Sequence, residues 1–276
     1  MTAVNDFERV IKQDRASRES KQWRGTLLEY LEVVKADPTF TKLSHARVYD
    51  LIISIGMHNI QDSDDPRTKR LYKDEPVKVY NFFADEFFGI ERTIAQLVRY
   101  FHSASLKGEE SRQVLYLMGP VGSGKSSLVE RVQRGLEQAS PVYAIEGCPM
   151  HEEPLHLIPR HLRREFEKML GVHIEGDLCP VCRYRLKEEF GQRYEEFPIE
   201  TRNFSKRNRI GIGVVPPVDP NNQDTSVLIG SEDISKLDQY SEGDPRVLEL
   251  NGALNVGNRG LVEFIEVFKN ETEYLH

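Results

Sequence analysis

The sequence predicts an α/β fold in which a parallel sheet is flanked by helices. Three observations predict it. Gly119–Ser126 has the complete G-x-x-x-x-G-K-S/T pattern of a phosphate-binding loop. The apolar run Gln113–Met118 ends at that loop, as expected of a buried parallel strand. Ser127–Leu136 follows with apolar side chains at helical spacing, so a helix N-terminus should face the bound phosphates.

Composition limits the classes of function. The 276 residues carry a net charge of −7, which argues against general affinity for a nucleic-acid backbone, and we find no specific nucleic-acid signal. No apolar run approaches the roughly 18 residues of a membrane helix. The N-terminus lacks the pattern of a secretion signal. The 3 cysteines cannot all pair within one chain, so we expect a reducing cytoplasm.

The first part of the chain is predicted as a helical N-terminal segment, residues 1–75. Apolar residues at helical spacing predict a helix over 4–35. Asp37-Pro38 ends it, because the residue before proline is disfavoured in the α region. Ser44 then begins a second helix.

The nucleotide-binding core is predicted over 76–276. Ahead of the loop, a helix is expected from Glu91 to Ser103. After the loop helix, Pro141–Glu146 has the pattern of a second strand, Arg160–Leu170 that of a charged helix, and the region around 231–240 that of an acidic helix.

The chemistry of the loop indicates ATP with Mg²⁺. Glycines let successive backbone N–H groups surround phosphates, Lys125 reaches the β- and γ-phosphates, and Ser126 offers its hydroxyl to the Mg²⁺. We assign Lys125 a catalytic role as well. The residues predicted to bind the nucleotide at this loop are Gly119, Pro120, Val121, Gly122, Ser123, Gly124, Lys125, Ser126 and Ser127.

An acidic strand end is the second requirement for such an ATPase, because one carboxylate holds the magnesium shell and another directs the attacking water. The β-rich run Leu261–Phe268 carries Glu266 near its end, and we assign Glu266 the catalytic role toward water. Lys125 and Glu266 are much farther apart in sequence than the short connections usual in α/β units allow. The sequence therefore predicts an insertion at about 147–250.

Several strings spread over the chain carry a resemblance to a known family: Trp23–Leu31, His45–Tyr49, Glu146–Pro159, Ile174–Gly176 and Asn258–Glu266. They resemble the PrkA-type serine protein kinases of bacteria. The resemblance implies an AAA+ P-loop ATPase core belonging to a larger protein. In that family a C-terminal region resembling eukaryotic-type kinases follows the ATPase domain.

The acidic strand departs from the pattern that the resemblance implies. An aspartate is expected at position 265, where this chain has Ile265, whereas Glu266 keeps the position of the water-activating carboxylate. Glu263 lies on the same side of a strand as Ile265, since side chains alternate faces. We hypothesise that Glu263 or a water chain partly replaces the missing magnesium ligand; a solvated strand residue is the alternative.

The resemblance also implies a contact for the adenine base. In AAA+ ATPases an apolar segment with a glycine shortly before the phosphate loop packs against the base. That interpretation assigns Gly89 and Ile90, with Phe88, to nucleotide binding. The alternative is that the aromatic cluster of Phe82–Ile90 is ordinary core.

The family pattern extends beyond His276. A sensor-1 strand, an arginine finger and a helical lid are expected to follow that residue in a complete module. We therefore expect weak nucleotide binding and slow hydrolysis from residues 1–276 alone, since an arginine finger contributes roughly 10³-fold or more. Modules of this type generally work as homo-oligomeric rings, and a protein substrate is implied.

The cysteines allow a metal site. Cys179 and Cys182 have the C-x₂-C spacing of half a zinc site, which Cys148 and a histidine such as His151 or His173 would complete. A single C-x₂-C pair is weak evidence, so a redox dithiol or two thiols in a turn remain alternatives.

The cluster His151, Glu152, Glu153 and His156 does not have H-E-x-x-H spacing, and Pro154 disfavours a helix there. We expect these polar groups to fix the shape of their own loop or to form a subunit contact.

Three functions remain open. The first is ATP binding and hydrolysis. The second is transfer of phosphate to a protein serine or threonine, although neither an H-R-D-x-x-x-x-N loop nor a D-F-G motif occurs in these residues. The third is a nucleotide-gated interaction module without turnover.

Overall fold

The computed structural model describes residues 7–13, 22–62, 66–72, 76–217 and 225–266. Two compact units divide the chain. The first, Lys42–Ala139, we call the loop unit because it carries the phosphate loop; the second, Met1–Thr41 with Ser140–His276, we call the strand unit. Within the described residues, no helix has the length and apolar character needed to cross a membrane.

Helices and strands occur in both units. The α-helices are α1 (7–13), α2 (Leu27–Ala36), α3 (Ser44–Ser54), α4 (Pro66–Tyr72), α5 (Asn81–Ala84), α6 (Glu91–Ser105), α7 (Lys125–Gln138), α8 (Arg163–Leu170), α9 (Pro180–Glu188), α10 (Ser226–Ile229) and α11 (Ala253–Val256). The strands are β1 (Arg24–Thr26), β2 (Met57–Asn59), β3 (Lys78–Tyr80), β4 (Val142–Ile145), β5 (Pro198–Arg202), β6 (Ile212–Val215), β7 (Ser231–Glu232), β8 (Leu248–Glu249) and β9 (Leu261–Phe264).

The loop unit is mainly helical. Helix α3 packs against α6 and α7, and the antiparallel pair β2–β3 lies beside this bundle through contacts of β3 with α6. Helix α6 buries one face, as its period-3.6 pattern predicts, with Ile94, Leu97, Val98 and Phe101 directed inward. The phosphate loop leads directly into α7, so the packing of these helices fixes the position of the loop within this unit.

The strand unit contains a three-stranded antiparallel sheet in the order β1-β5-β4. Helix α2 begins with a capping box, in which Thr26 and Glu29 exchange side-chain and backbone hydrogen bonds. Its buried residues Leu27 and Tyr30 join one core with residues of β4, α8, α9 and β5. The core thus extends from helix α2 to the cysteine-bearing helix α9.

A separate parallel pair joins β6 and β9, with Val214 opposite Glu263. The end of β9 continues the pairing through Ile265, whose N–H donates to Val215 O at 3.0 Å. The turn into β9 requires glycine at Gly260, because a Cβ there would lie 1.9 Å from Gly211 O. The predicted acidic strand therefore exists and has a parallel neighbour.

The α/β class is confirmed by the mixture of helices and strands, although the sheets of the described residues are small. Helices predicted from Ser44, Glu91 and Ser127 are present as α3, α6 and α7. Pro141–Glu146 contains β4, but its partner β5 is antiparallel. Residues 147–250 contain β5 as well as α8 and α9, so part of the predicted insertion completes the sheet of the strand unit.

The predicted strand Gln113–Met118 is not confirmed. The segment has no regular secondary structure, and Val114 is 89% exposed. Its short apolar run is the pattern expected of a buried strand, but a strand also needs the backbone of a neighbouring strand to complete its hydrogen bonds. Among the described residues this segment pairs with no strand; its Gln113 O accepts from the Tyr100 hydroxyl at 2.8 Å.

Two helix predictions are wrong in part. The helix expected over 4–35 is interrupted by β1, whose pairing with β5 overrides local helical spacing. Residues 4–6 and 14–21 of that prediction lie outside the described residues. The acidic helix expected around 231–240 is replaced by β7 and a 3₁₀ turn, since β7 pairs with the distant β8.

Gly135 on α7 provides a stability prediction for the loop unit. A Cβ at this position would lie 2.6 Å from Phe82 Cζ and 2.8 Å from Leu51 Cδ2. We expect Gly135→Ala to destabilise the protein by about 1–3 kcal/mol through overpacking, despite its better helix propensity. Urea unfolding followed by circular dichroism measures the change. The control Gln138→Ala, on the exposed end of α7, should stay within about 0.5 kcal/mol of the wild type; an equal stability of both variants would contradict the packing.

Candidate functional site

The phosphate loop ends directly on a helix. Gly122 and Gly124 have φ values of 79° and 83°, which glycine adopts without the steric cost of a Cβ. Gly124 is the N-cap of α7, so Lys125, Ser126 and Ser127 form the first turn. The first N–H groups of a helix have no acceptor within it, and the helix dipole favours negative charge there. The loop is exposed and offers backbone donors suited to an anion.

The side chain of Lys125 lies over its own loop. Its Nζ donates to Gly119 O at 2.8 Å and Pro120 O at 2.7 Å, and approaches Ser123 Oγ at 3.3 Å. These acceptors hold the ammonium group at the mouth of the loop. Since the four-carbon side chain is flexible, the same group can turn toward a phosphate that enters the loop.

The segment predicted to contact the base is anchored to α7. Arg131 donates from Nε to Phe82 O at 2.8 Å and lies over the Phe82 ring at 4.2 Å, while Arg134 pairs with Glu86. The ring of Phe87 is buried and would lie 3.8 Å from a Cβ at Gly124. Phe82–Phe87 therefore packs beside the phosphate loop within one unit. Arg131 and Glu86 belong to no sequence motif, so the sequence analysis did not identify them.

Gly89 and Ile90 follow this anchored segment. Gly89 has a φ of 79°, and its N–H donates to Glu91 Oε1 at 3.1 Å. The other oxygen of Glu91 accepts from the buried Tyr72 hydroxyl at 2.6 Å. Phe88 is 72% exposed, in contrast to the buried Phe87. Glu91 thus fixes the turn through its hydrogen bonds, while the Phe88 side chain remains accessible to a ligand.

The acidic strand end belongs to the strand unit. Glu263 is half-buried on β9 and Glu266 is exposed just beyond it. Glu266 has a φ of 53°, a left-handed conformation that costs a non-glycine residue about 1–3 kcal/mol. Such strained positions cluster at functional sites. Val267 and Phe268, the last residues of the predicted β-rich run, lie outside the described residues.

A largely buried ion pair at the start of β9 was not foreseen. Arg259, with a φ of 64°, pairs with Glu153 and donates to Tyr143 O. The second oxygen of Glu153 accepts from the Tyr30 hydroxyl at 2.5 Å. Glu153 thereby joins α2 and the loop after β4 to the entry of the acidic strand. The only sequence signal was that Glu153 and Arg259 lie in strings carrying the family resemblance.

The three cysteines meet in the core of the strand unit. Ligand atoms of Cys148, Glu152, Cys179 and Cys182 all lie within 4.8 Å of one another, and all four residues are buried. Hydrogen bonds involving Cys148 and Cys182 lower the pKa of Cys179, and burial raises the pKa of Glu152. The sequence indicated the cysteines and a histidine as fourth ligand; the structure brings Glu152 into the cluster instead.

Two histidines of this region, His156 and His173, lie outside the cysteine cluster. His173 lies 2.6 Å from Glu167 and is half exposed, outside the cysteine cluster. His156 Nδ1 is buried without a hydrogen-bond partner, 3.9 Å from Glu152 Oε1. Glu152 and Glu153 accept hydrogen bonds from other segments of the strand unit, so these two carboxylates tie their loop to its surroundings.

Comparison with known proteins gives a family. The model of the PrkA AAA domain matches residues 25–276. The ATP-dependent protease PrkA of Bacillus subtilis (strain 168) is 41% identical over 277 residues, 98% of this chain and 42% of that protein. The serine/threonine kinase YeaG of Escherichia coli (strain K12) is 35% identical over 260 residues, 91% of this chain and 39% of that protein. No solved structure matches the chain.

Helices and strands together with this match define an α/β domain of the AAA type. The chain belongs to the PrkA AAA domain family. It spans about two-fifths of the length of these two curated relatives.

Proposed function

We propose that this domain binds ATP with Mg²⁺ and hydrolyses it. The observation that carries the proposal is the phosphate loop Gly119–Ser126 on the N-terminus of α7, with two left-handed glycines and the Lys125 ammonium at its mouth. Backbone N–H groups and Lys125 are the groups that recognise a triphosphate. Phe88, Gly89 and Ile90, anchored beside that loop, would contact the base.

The open shape of the phosphate loop supports a bound nucleotide. Gly122 has no heavy atom within 4 Å of where a Cβ would be, so the loop is open where phosphates would enter. Ser126, in the first turn of α7, would offer its hydroxyl to Mg²⁺, which supplies charge neutralisation at the phosphates when bound. Glu263 stays a proposed magnesium ligand on the ground of its place in the sequence alone. Glu266 is proposed to orient and deprotonate the attacking water.

The names of the relatives support the use of ATP without specifying the reaction of this domain. One is named as an ATP-dependent protease and the other as a serine/threonine kinase. The two names differ in the reaction on protein, and the first of them states dependence on ATP. An ATP-binding and hydrolysing domain is consistent with both names, so we assign that activity to the region that they share with this chain.

Glu266→Gln tests the assignment of the hydrolytic base. We expect this substitution to lower kcat for phosphate release by about 10²-fold or more while Mg·ATP still binds, because the amide cannot accept the proton of water. Steady-state phosphate release and equilibrium ATP binding separate the two effects. Glu263→Gln should instead raise the Mg²⁺ concentration needed for half-maximal rate. Normal turnover in Glu266→Gln would remove its catalytic role.

Kinase chemistry is the second candidate, and the YeaG name favours it. Incubation with γ-labelled ATP and a generic serine substrate distinguishes the two reactions. We expect this chain to release labelled phosphate without labelling the substrate protein. Labelled protein that disappears with Lys125→Ala would favour phosphoryl transfer by this domain. ATP binding without either product would favour a nucleotide-gated interaction module.

Oligomerisation belongs to the same proposal. AAA domains generally act as rings, so we propose that this domain self-associates and acts on a protein substrate when it is part of a longer chain. Light scattering with and without Mg·ATP measures the mass. A mass that increases by whole multiples of the chain on ATP addition is expected.

A further inference from the structure

A closed set of metal-ligating side chains lies in the core of the strand unit, apart from the phosphate loop. Cys148 is 2% exposed, Glu152 3%, Cys179 6% and Cys182 0%. Three sulfur atoms and one carboxylate oxygen lie within 4.8 Å of one another. We propose that these four residues form a structural zinc site. This assignment does not depend on ATP hydrolysis by the domain.

The distances suit tetrahedral zinc. Zinc bonds of about 2.3 Å to sulfur and about 2.0–2.2 Å to oxygen place neighbouring ligand atoms roughly 3.5–3.8 Å apart. Cys148 Sγ lies 3.4 Å from Glu152 Oε2. The longest separation, below 4.8 Å, exceeds the tetrahedral edge by only about 1 Å, which side-chain rotation can close.

Two short backbone motifs present the ligands. Cys179 is the N-cap of α9 and Cys182 lies in its first turn, with Cys182 N donating to Cys179 Sγ at 3.3 Å. The helix N-terminus favours the thiolate form that binds metal. Cys148 and Glu152 lie in the turn after β4, closed by hydrogen bonds between Cys148 N and Ile145 O and between Ile145 N and Glu152 O.

The buried carboxylate points to a cation. Glu152 Oε1 accepts from Cys179 N at 2.7 Å, and Oε2 accepts from the Cys148 thiol. Among the described residues Glu152 forms no ion pair with a lysine or arginine, and His156 lies 3.9 Å away. Burying a carboxylate among apolar groups is costly unless an opposite charge or metal compensates. Direct coordination of the Glu152 carboxylate to Zn²⁺ would compensate that cost.

The ligand types select the metal and the role. Three thiolates favour zinc over the hard cations Mg²⁺ and Ca²⁺, which prefer oxygen. Four protein ligands with almost no solvent exposure leave no position for water or substrate, so the site is structural. His156 Nδ1, which lacks a hydrogen-bond partner, lies 3.9 Å from Glu152 Oε1, outside the set of four ligands.

The site would fix a loop that supports the acidic strand. The same turn contains Met150, whose carbonyl accepts from Asn258 Nδ2 at 2.9 Å, and Glu153, which pairs with Arg259. Asn258 and Arg259 lead directly into β9. Zinc would therefore cross-link α9 to the loop on which the entry of the acidic strand rests.

The test is the metal content of the intact chain, purified without chelators and measured by mass spectrometry of the elements. We expect about one zinc per chain, and X-ray absorption should report three sulfur ligands and one oxygen ligand. Cobalt substitution should give thiolate-to-metal charge-transfer absorption. These readouts use the wild-type chain, so they do not depend on a variant that folds.

Variants assign the ligands. Cys182→Ser should lose at least about tenfold in zinc affinity, whereas His173→Gln, a histidine outside the cluster, should keep the full content. Glu152→Gln should weaken zinc binding more than His156→Gln. Less than about a tenth of an equivalent in wild type after zinc loading, or a Cys179–Cys182 disulfide in the native protein, would overturn the site. Loss of zinc in His156→Gln but not in Glu152→Gln would overturn Glu152 as the fourth ligand.

Discussion

Lys125→Ala is expected to lower kcat/KM for ATP hydrolysis by about 10²-fold or more, because it removes a positive charge aimed at the phosphates. Lys125 Nζ is held at the mouth of the loop by Gly119 O and Pro120 O. Phosphate release over a range of ATP concentrations measures the effect. Both ATP affinity and turnover should decline.

Two controls make that loss specific. Arg112→Ala removes an exposed cation from the same unit and should leave kcat/KM unchanged. Lys125→Arg keeps the charge but changes its shape and should retain only part of the activity. Hydrolysis by Lys125→Ala at the wild-type rate would show that the phosphate loop is not the hydrolytic site.

Arg259→Met is expected to destabilise the strand unit by about 3–5 kcal/mol, because it leaves the Glu153 carboxylate buried without its cation. The side chains of Arg259 and Glu153 are 11% and 14% exposed. Trp23 is the single tryptophan, and its ring packs 5.2 Å from that of Tyr143 in the strand unit. Urea unfolding followed by tryptophan fluorescence therefore reports on this unit.

Exposed Arg207→Met is the matched control and should change stability by less than about 0.5 kcal/mol. The double variant Arg259→Met with Glu153→Gln should be more stable than the sum of the single changes predicts, since it removes both charges. Strict additivity of the two substitutions would contradict a direct ion pair between Arg259 and Glu153.

Local signals in the sequence were sufficient for the phosphate loop and its helix. Gly124 and Lys125 form a motif whose meaning depends on neighbours in sequence, and α6 and α7 follow from apolar spacing. Such local signals could not predict which strands pair when the strands are far apart in the sequence. The residues of β1 were predicted to be helical because nothing near Arg24 indicates its partner Glu200. Gln113–Met118 has an apolar pattern but pairs with no strand in the part of the chain that the structure describes.

The candidate metal site was also predicted only as far as local sequence patterns allowed. The C-x₂-C spacing indicated Cys179 and Cys182 and suggested Cys148, but the fourth ligand was expected to be a histidine. Glu152 joins the cluster because the turn after β4 folds back onto the start of α9. A contact between residues 27 positions apart in sequence has no local pattern that could have predicted it.

The most direct test of ATP binding at the phosphate loop is a calorimetric titration of the wild-type chain with Mg·ATP. We predict saturable binding at one site per chain that weakens strongly in Lys125→Ala and persists in Glu266→Gln. Saturable binding that is unaffected by Lys125→Ala, or the absence of saturable binding to a folded wild-type chain, would contradict the assignment of Gly119–Ser126 as an ATP site.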